Sequence, residues 1–598
     1  MEWRKLNDGL SAELEINPEL KKIKAVLMRS YDGLPYHLKA SFLYLSIFPE
    51  DHIISRKSLV RRWIAEGYSR EMQHMTAEQV GDKHFDELLD RSMVLPSEGG
   101  IPGKIDSCQL HDLIREICVT KAREENLVFT LEEGCNLGGM QGAIRHLSIS
   151  SNWKRDKDVM QRMLDLSHVR SLTVFGEWRS FFLSRKMRFL RVLDLEHTTG
   201  LRDRHLDQIG ELLHLRYLSL RGCKGILELP NSLANLRQLQ TLDIRDTSIL
   251  ALPTTVTRLQ KLQYLHTSGL SSRQEGTIQD DILDVYKNLT KVQVVSLAKR
   301  YCCVGQRNIP LLLYSNRKPC LWRALHLVVI LRLVWTPQKL EAQLGRSGPH
   351  LLEDGVKRHD LCNLYRYCTR YYELIWSTGT GVTIPWGISK LKALHTLRVV
   401  NVRWGKTTFE ELIGLTHLRR LGVSVLDGCL VGDLSPPEYV ESLKMNGRLV
   451  MVTEWIHRLR NLSKLQLQGT MLNQDGDLQA LGSLPSLAVI RVKNASFVGE
   501  HLHFRGPSFP NLLVLELLGL ELIETEMGSY QVGFGQEAMP RLEVLQIYRC
   551  EAVEEISGLQ FLTGLKEIRL REDFDCLNKE SVRRQLAEHP NNVILKLL

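Results

Sequence analysis

The sequence predicts an α/β repeat fold: a short N-terminal α-helical and winged-helix-like module followed by a solenoid of stacked strands, shaped as a horseshoe. The main observation is a recurring LxxLxL pattern whose middle leucines lie at 193, 218, 242 and 265, in steps of 25, 24 and 23 residues. Repeats of about 20–29 residues are typical of such solenoids. The second observation is that residues 1–135 lack the pattern and place apolar residues at helical spacing instead.

The leucine pattern has a simple physical reading. In an LxL segment both leucines point to one face of a short strand, and the residue between them points to the other face. One repeat cannot bury its leucines alone, so repeats stack and share a continuous core. Further copies begin at Ile144 and Val169, and seven more lie between Leu394 and Leu570. The sequence therefore predicts a leucine-rich-repeat solenoid with one strand per copy.

Three proline-bounded segments fit the convex side of such repeats, where proline limits the backbone. They read ELPNSLANL (228–236), ALPTTVTRL (251–259) and IPWGISKLKAL (384–394). This form is similar to the intracellular plant type of repeat. We expect each segment to make a short turn of helix between two strands.

The predicted domain boundaries follow from where the pattern starts and fails. Residues 1–35 are assigned to the end of a helical subdomain, 36–135 to a winged-helix subdomain and 136–598 to the repeat domain. Irregular insertions are expected near 271–383 and 426–451, where the pattern is lost. Loops on a rigid scaffold often carry recognition, but eroded repeats without a function explain these segments equally well.

Residues that face away from the leucine core would form a concave sheet surface. Polar and aromatic side chains on such a surface suit protein recognition, although a merely solvated sheet has the same pattern. The predicted partner-binding residues are Arg191, Asp194, Arg216, Tyr217, Gln240, Asp243, Gln263 and Tyr264.

Composition and charge exclude several classes. Hydrophobic residues make up 43% and charged residues 25%, as in ordinary folded proteins, and no stretch approaches the roughly 20 apolar residues of a membrane span. No signal peptide or lipidation motif is recognised, and the 12 cysteines form no CxxC pair, so we expect reduced thiols in a cytoplasmic or nuclear protein without a metal site. The net charge of +9 is mild for this length, and nucleic acid is not an expected partner.

Helical patterns organise the N-terminal module. The segment RKSLVRRWIAEGY predicts a helix that buries Trp63 and stops at Gly67, and a further helix is predicted from Val80 to just before Pro96. Trp63 and Phe48 are interpreted as core residues rather than ligand-stacking aromatics. The basic residues of this segment could also suggest DNA binding; they are Arg56, Lys57, Arg61 and Arg62.

Four short motifs in the N-terminal module resemble consecutive motifs of one known family. They are SYDGLPYHLKASFLYLSIFPED (30–51), LVRRWIAEGY (59–68), LLDRSMV (88–94) and QLHDLIREIC (109–118). Their order, followed by these repeats, resembles the end of the NB-ARC region of plant nucleotide-binding leucine-rich-repeat immune receptors of the coiled-coil class. The resemblance implies a winged helix that acts as an intramolecular switch piece rather than as a DNA-binding domain.

The resemblance also implies a nucleotide site. Family members hold ADP or ATP, and a histidine of the His-Asp motif contacts the β-phosphate; the matching positions here are Leu110, His111 and Asp112. No GxxxxGK[ST] phosphate loop occurs in the chain, and the nearest sequence, Gly103-Lys104, lacks the required partners. We therefore expect an N-terminally truncated family member that binds no cofactor alone. His111 could equally be a residue that caps or packs a helix start.

The resulting functional hypothesis is a truncated intracellular plant immune receptor. Its repeats would recognise a pathogen effector or a guarded host protein and control a defence and hypersensitive-response switch, with a full-length receptor of the same family as a further partner. The alternative is a non-signalling interaction scaffold or decoy that regulates a full-length receptor. A substrate receptor of a ubiquitin ligase is a third reading, although no F-box pattern is recognised in residues 1–60. No enzyme motif set is found, and an enzyme is not expected.

Overall fold

The structure is a computed structural model that describes residues 18–97, 105–133, 143–155, 157–268, 381–402, 411–425, 436–447, 449, 452–493, 496–497, 501–519, 530–548, 553–570 and 579–597 of the 598-residue chain. The Gly103-Lys104 pair lies outside these residues, as does most of the expected insertion at 271–383. Within the described residues, no helix is both long and apolar enough to cross a membrane.

The N-terminal module is helical and carries a small antiparallel sheet. Its helices and strands are α1 (Pro18–Asp32), α2 (Tyr36–Leu43), a 3-10 turn (Tyr44–Ile47), β1 (Ile54–Ser55), α3 (Arg56–Glu66), α4 (Ala77–Asp90), β2 (Leu95–Pro96), β3 (Ser107–Gln109) and α5 (Asp112–Glu124). Strand β3 lies between β1 and β2 and pairs antiparallel with both. This order of helices and strands is that of a winged helix, as the sequence predicts.

Local signals set the ends of α3 and α4. Helix α3 stops at Gly67, which adopts φ +91° while its amide donates to the carbonyls of Trp63 and Ile64. Glycine enters this left-handed region without a Cβ clash. Helix α4 starts with a capping box: Thr76 Oγ1 accepts from the Gln79 amide at 3.2 Å, and Gln79 Oε1 accepts from the Thr76 amide at 2.8 Å. The helix thus begins earlier than the predicted start near Val80.

The core of the module contains the two aromatic residues that the sequence assigns to it. Trp63 and Phe48 are both buried in one apolar cluster, which confirms their packing role. Cys108 and Cys118 lie in the same cluster as free thiols. Burial raises the pKa of Cys108 to about 12, so this thiol stays protonated and unreactive at neutral pH.

The repeat domain is built from short strands with one strand per leucine copy. The strands are β4 (Val128–Leu131), β5 (His146–Ile149), β6 (Ser171–Val174), β7 (Val192–Asp194), β8 (Tyr217–Ser219), β9 (Thr241–Arg245), β10 (Tyr264–Ser268), β11 (Val382–Thr383), β12 (Thr396–Val402), β13 (Arg420–Val425), β14 (Ser442–Asn446), β15 (Lys464–Gln468), β16 (Val489–Lys493), β17 (His501–Phe504), β18 (Val514–Leu518), β19 (Tyr530–Phe534), β20 (Val544–Tyr548), β21 (Val553–Ser557), β22 (Glu567–Leu570) and β23 (Ile594–Leu597). Strands β17, β19 and β21 form a separate parallel sheet, and the others form one large parallel sheet.

The leucines of the pattern stack in register across the large sheet. Leu193 pairs with Leu218, Leu218 with Leu242 and Leu242 with Leu265, and all four are fully buried. Leu265 then pairs directly with Leu397, although more than a hundred residues separate them in the chain. Strands β10 and β12 are therefore neighbours, and burial of each leucine contributes about 1.5–3 kcal/mol to the shared core.

The convex side consists of short helical turns, as predicted. The three proline-bounded segments form 3-10 turns at Asn231–Asn235, Thr254–Arg258 and Ile388–Lys390. The remaining turns and helices are Leu166–His168, Ser180–Phe182, Asp203–Glu211, Val452–Glu454, Ile456–Arg458, Leu559–Phe561, the π-turn Gln474–Leu478, α6 (Lys157–Met163), α7 (Gln479–Gly482) and α8 (Lys579–Ala587).

Two boundaries differ from those drawn on the sequence. Strand β4 (Val128–Leu131) lies within the segment 36–135 but pairs with β5 of the large sheet. Strand β14 (Ser442–Asn446) lies within 426–451, where an irregular insertion is expected, yet it pairs in register with β13 and β15. Its inward residues are Leu443 and Met445. Methionine fills a leucine position well in a core, which is why the pattern search misses this strand.

Candidate functional site: the interface between helix α3 and the large sheet

Helix α3 buries both of its faces. One face packs Leu59 and Trp63 into the core of the winged helix, as the apolar spacing predicts. The opposite face carries Arg61, Arg62 and Glu66, which are also buried. Charged side chains are rarely buried without partners, and here the partners lie on the repeat domain. We refer to these contacts, together with those of α4 to the sheet, as the α3 interface.

An ion pair lies at the centre of the α3 interface. The Arg62 guanidinium contacts the Asp194 carboxylate of β7, and the two side chains are only 4% and 1% exposed. The guanidinium also lies over the rings of Phe48, at 4.9 Å, and Tyr217, at 5.7 Å. A buried pair gains little net stability, but removing one partner leaves an uncompensated buried charge. The pair therefore specifies where α3 sits on the sheet.

A second group of contacts extends the interface across the sheet. The Arg61 guanidinium lies 4.3 Å from the centre of the Tyr264 ring on β10. The Tyr264 hydroxyl donates to Glu78 Oε2 of α4 at 2.8 Å, and Glu78 Oε1 lies 3.7 Å from Arg420 of β13. Burial, followed by the nearby Glu78 carboxylate, raises the pKa of Tyr264. Its hydroxyl is thus kept as a proton donor to Glu78.

The C-terminal end of α3 is held by arginines of the sheet. Arg191 donates to the carbonyl of Glu66 at 2.8 Å, and Arg216 approaches the carbonyl of Ala65 at 3.5 Å. Carbonyls in the last turn of a helix have no intrahelical partner and carry partial negative charge. Two cationic donors are therefore well placed to satisfy this helix end.

A buried acid and a buried histidine face each other beside that helix end. Glu66 Oε1 lies 3.8 Å from His146 Nδ1, and His146 Nε2 shares a 2.6 Å hydrogen bond with the Tyr68 hydroxyl. Burial raises the pKa of Glu66 to about 7, against the lowering effect of nearby arginines. Burial and the same arginines lower the pKa of His146 to about 3. At neutral pH the histidine is therefore uncharged, and Glu66 is close to its titration point.

The structure brings five of the eight predicted partner-binding residues together at the α3 interface: Arg191, Asp194, Arg216, Tyr217 and Tyr264. Tyr217 shares a 3.0 Å hydrogen bond with Ser58. Asp243 instead holds Arg245 of its own strand at 2.5 Å. Gln240 and Gln263 are half-buried on the sheet. In this conformation the five residues contact the chain's own winged helix, so they could meet another protein only after α3 moves away.

His111 lies elsewhere and has a structural role. It is the N-cap residue of α5, where its Nδ1 accepts a hydrogen bond from the Leu113 amide at 3.3 Å. His111 and Asp112 are exposed, whereas Leu110 packs into the core of the module. This contact fits the interpretation of His111 as a residue that caps a helix start, and its contact with a nucleotide stays a prediction.

Several residues of the interface cannot be recognised from the sequence. In the sequence, Arg61 and Arg62 suggest a possible basic surface for DNA, but both are buried, and Arg56 is paired with Asp82 and Asp86. The sequence signal that could reveal this interface is the pair of adjacent arginines beside an apolar helical face, together with an acidic residue at an outward position of the repeat sheet. Glu66 and His146 gave no signal, because nothing in their local sequence marks them as neighbours.

The fold and the site together define a leucine-rich-repeat protein whose parallel sheet is partly covered by its own winged helix. Comparison with known proteins agrees. The family "Leucine-rich repeat region" matches residues 168–304 and 424–594, just over half of the chain, and the family "Disease resistance protein Winged helix domain" matches residues 47–118. The chain therefore belongs to the leucine-rich-repeat region family, and its winged helix places it among proteins of the plant disease resistance type.

The chain is also similar to curated disease resistance proteins. The chain is 26% identical over 599 residues to the disease resistance protein Pik-2 of Oryza sativa subsp. japonica, covering 95% of this chain and 53% of that protein. It is 28% identical over 598 residues to the disease resistance protein RGA4 of the same organism, covering 99% and 51%. The chain thus spans about half the length of these relatives. Among solved structures, a leucine-rich-repeat protein of Leptospira interrogans matches with a TM-score of 0.36 and 12% identity, covering 80% of this chain and 98% of that one.

Proposed function

We propose that this chain is an intracellular plant immune receptor of the disease resistance type. Its repeat sheet would recognise a pathogen effector or a guarded host protein, and its winged helix would report that recognition. The observation that carries the proposal is the α3 interface, in which the winged helix is held on the recognition sheet by the buried pair of Arg62 and Asp194. A partner that binds the sheet better when α3 is displaced would favour the displaced state.

The energetics of the interface suit a reversible contact. Its centre consists of ion pairs, cation–π contacts and hydrogen bonds, together with a small apolar cluster of Ala65, Val192 and Tyr217. Polar contacts exchange for water on separation at a modest net cost, while a large apolar interface would hold the two parts together permanently. We infer that α3 leaves strands β7 to β10, while Val128 of β4, which lies in the apolar core of the winged helix, keeps the module attached to the sheet.

Relatives of this type are expected to hold ADP or ATP, but we propose that this chain alone binds neither. The supporting observation is that the Nδ1 atom of His111 is already used as a helix cap. Isothermal titration of the purified chain with ADP should give no binding at micromolar concentrations, and a micromolar dissociation constant would contradict this part of the proposal.

Genetic disruption in the source plant tests the proposed function. The disrupted line should lose resistance to at least one isolate in a pathogen panel, and the wild-type gene should restore it. A gene with Asp194→Asn should change the strength of the response, because the neutral side chain no longer balances Arg62. Asp207→Asn is a matched control, since Asp207 is exposed and lies on the convex side. Unchanged resistance to every isolate after disruption would refute the receptor function.

The second candidate is a non-signalling scaffold or decoy that regulates a full-length receptor. It is favoured by the same use of His111 as a cap, because a decoy needs no nucleotide. Overexpression distinguishes the two candidates. A decoy should weaken resistance in plants that carry an intact full-length receptor, whereas a receptor should leave resistance unchanged or strengthen it.

A further inference from the structure

One row of outward side chains runs along the large sheet, and its charge changes from negative to positive along the row. We call it the central row: one residue from each strand except β11, on the face opposite the leucine core, paired in register except at the step from Arg398 to Gly422. Its members from β7 to β16 are Asp194, Ser219, Asp243, His266, Arg398, Gly422, Lys444, Gln466 and Arg491. The row is acidic up to β9 and basic from β12 onward.

The acidic part of the central row already has a cationic partner. Asp194 binds Arg62 of α3, and Asp243 binds Arg245 and also attracts Arg61. Beyond it, His266 is buried, and both of its ring nitrogens lack a hydrogen-bond partner in the described part of the chain. This histidine marks the point where the sheet changes from acidic to basic.

Three cations of the basic part have no ion-pair partner among the described residues. The side chains of Arg398 and Lys444 on the row, and of Lys493 at the end of β16, make no hydrogen bond or ion pair within the described ranges. Lys444 and Lys493 are partly exposed, and Arg398 is exposed. Burial within the sheet surface, then repulsion from Lys493 and Arg398, lowers the pKa of Lys444 to about 8. Lys493 and Arg398 thus destabilise the charged form of Lys444.

The backbone leaves space between two of these cations. Strand β12 has a bulge between Leu397 and Val400, so that two of its residues face Gly422 alone. A Cβ atom on Gly422 would lie 2.7 Å from the Val399 amide nitrogen, which is closer than van der Waals contact allows. The glycine is therefore required by the bulge, and it leaves the central row without a side chain between Arg398 and Lys444.

We propose that Arg398, Lys444 and Lys493 bind an acidic segment of a partner polypeptide. The geometry selects an extended ligand. Neighbouring strands lie about 4.8 Å apart, so β12 and β16 are roughly 19 Å apart, too far for one compact anion. An extended peptide of about six residues covers that distance. The inference rests on the proposed function, because it names the chemistry of the partner that the sheet recognises.

A polypeptide fits better than a nucleic acid because the basic part is short. Carboxylates lie at both ends of the basic part. They are Asp243 on β9 and Glu516 on β18, and Glu516 pairs with Arg491 at 2.7 Å. A continuous phosphate backbone would meet these carboxylates at either end. A short acidic segment between less charged residues would not.

The test uses the full chain and a fluorescein-labelled oligo-glutamate peptide of about ten residues, with the matching oligo-glutamine peptide as the neutral probe. Fluorescence anisotropy should show binding of the acidic peptide alone, weakening as salt is added. The triple variant Arg398→Gln/Lys444→Gln/Lys493→Gln should lose at least about tenfold in affinity. The control Arg237→Gln/Lys186→Gln/Lys390→Gln removes the same charge from exposed positions outside the sheet and should bind like wild type.

A charge-reversal variant distinguishes loss of the binding charges from loss of the folded structure. Lys444→Glu/Lys493→Glu should bind an oligo-lysine peptide that wild type does not bind. Equal losses in the row variant and the control variant would overturn the proposal, as would tighter binding of single-stranded DNA than of the acidic peptide. Failure here leaves the plant disruption result untouched, so the proposed function and this inference can fail separately.

Discussion

Arg62 of helix α3 and Asp194 of strand β7 form a buried ion pair that connects the winged helix to the repeat sheet. The guanidinium is further held between the rings of Phe48 and Tyr217. The winged helix therefore supplies the cation of this pair, and the repeat sheet supplies the carboxylate. The stability of this pair depends on both parts, because separating Arg62 from Asp194 leaves each charge to be hydrated by water.

The Asp194→Asn variant tests the central pair. It should destabilise the α3 interface by about 3–5 kcal/mol, since Arg62 stays buried without a counter-charge. Hydrogen exchange of the α3 amides should become faster, while amides in β15 and β16 should be unaffected. The double variant Arg62→Met/Asp194→Asn should recover much of the protection. If α3 exchange in Asp194→Asn equals that in the Asp207→Asn control, the pair does not hold the helix.

Glu66→Gln should change how stability depends on pH. Because the pKa of Glu66 is raised from 4.5 to about 7, the folded protein keeps a proton that the unfolded chain releases in this interval. The stability from this proton is present below pH 4.5 and is lost as the pH rises through 7. The free energy of unfolding of the variant, relative to wild type, should therefore rise by up to about 3 kcal/mol over this interval and stay constant above it.

The measurement for Glu66 is urea unfolding at several pH values. His146 has the opposite dependence: its pKa is lowered to about 3, so its contribution is present above pH 6.5 and is lost as the pH falls. That contribution is common to both proteins and cancels in the difference. Glu133→Gln, at an exposed carboxylate, is the control. A flat difference between Glu66→Gln and wild type would show that Glu66 titrates normally.

Tyr264→Phe isolates one hydrogen bond of the interface. The ring stays under Arg61, but Glu78 loses the hydroxyl that donates to it at 2.8 Å. Hydrogen bonds to charged groups contribute about 1.5–3 kcal/mol, so the loss of stability should fall in that range. Tyr439→Phe is the matched control, since Tyr439 is exposed and also lies beside an arginine, Arg419. Equal denaturation midpoints for the two variants would contradict the role of the hydroxyl.

Gly422→Ala tests the bulge in the central row. The added methyl group would lie 2.7 Å from the Val399 nitrogen, so strand β12 must shift. We expect a loss of about 1–3 kcal/mol, as for other overpacked sites. Gly476→Ala is the control, because its new methyl group would meet only Thr453, at 3.8 Å. Differential scanning calorimetry should show a lower melting temperature for Gly422→Ala alone; two unchanged melting temperatures would mean that the bulge tolerates a side chain.

Much of the fold could be predicted from the sequence because its signals are local. The alternation of Leu193 and Leu195 specifies a strand and its buried face within three residues. Gly67 ends α3 as predicted, and Trp63 and Phe48 are in the core. Strand β14 was missed because Met445 replaces a leucine. The separate sheet of β17, β19 and β21 was also missed, because no leucine pattern marks its strands.

The two parts of this protein, the type of each and the buried face of each strand can be read from local spacings of two to twenty-five residues. The folded backbone is needed to see that Arg62 meets Asp194, that Glu66 faces His146, and that Arg398, Lys444 and Lys493 have no ion-pair partner among the described residues. The physical reason is that charge pairing acts through space. Residues far apart in the chain become partners only when the folded backbone brings them together, and no local pattern records that distance.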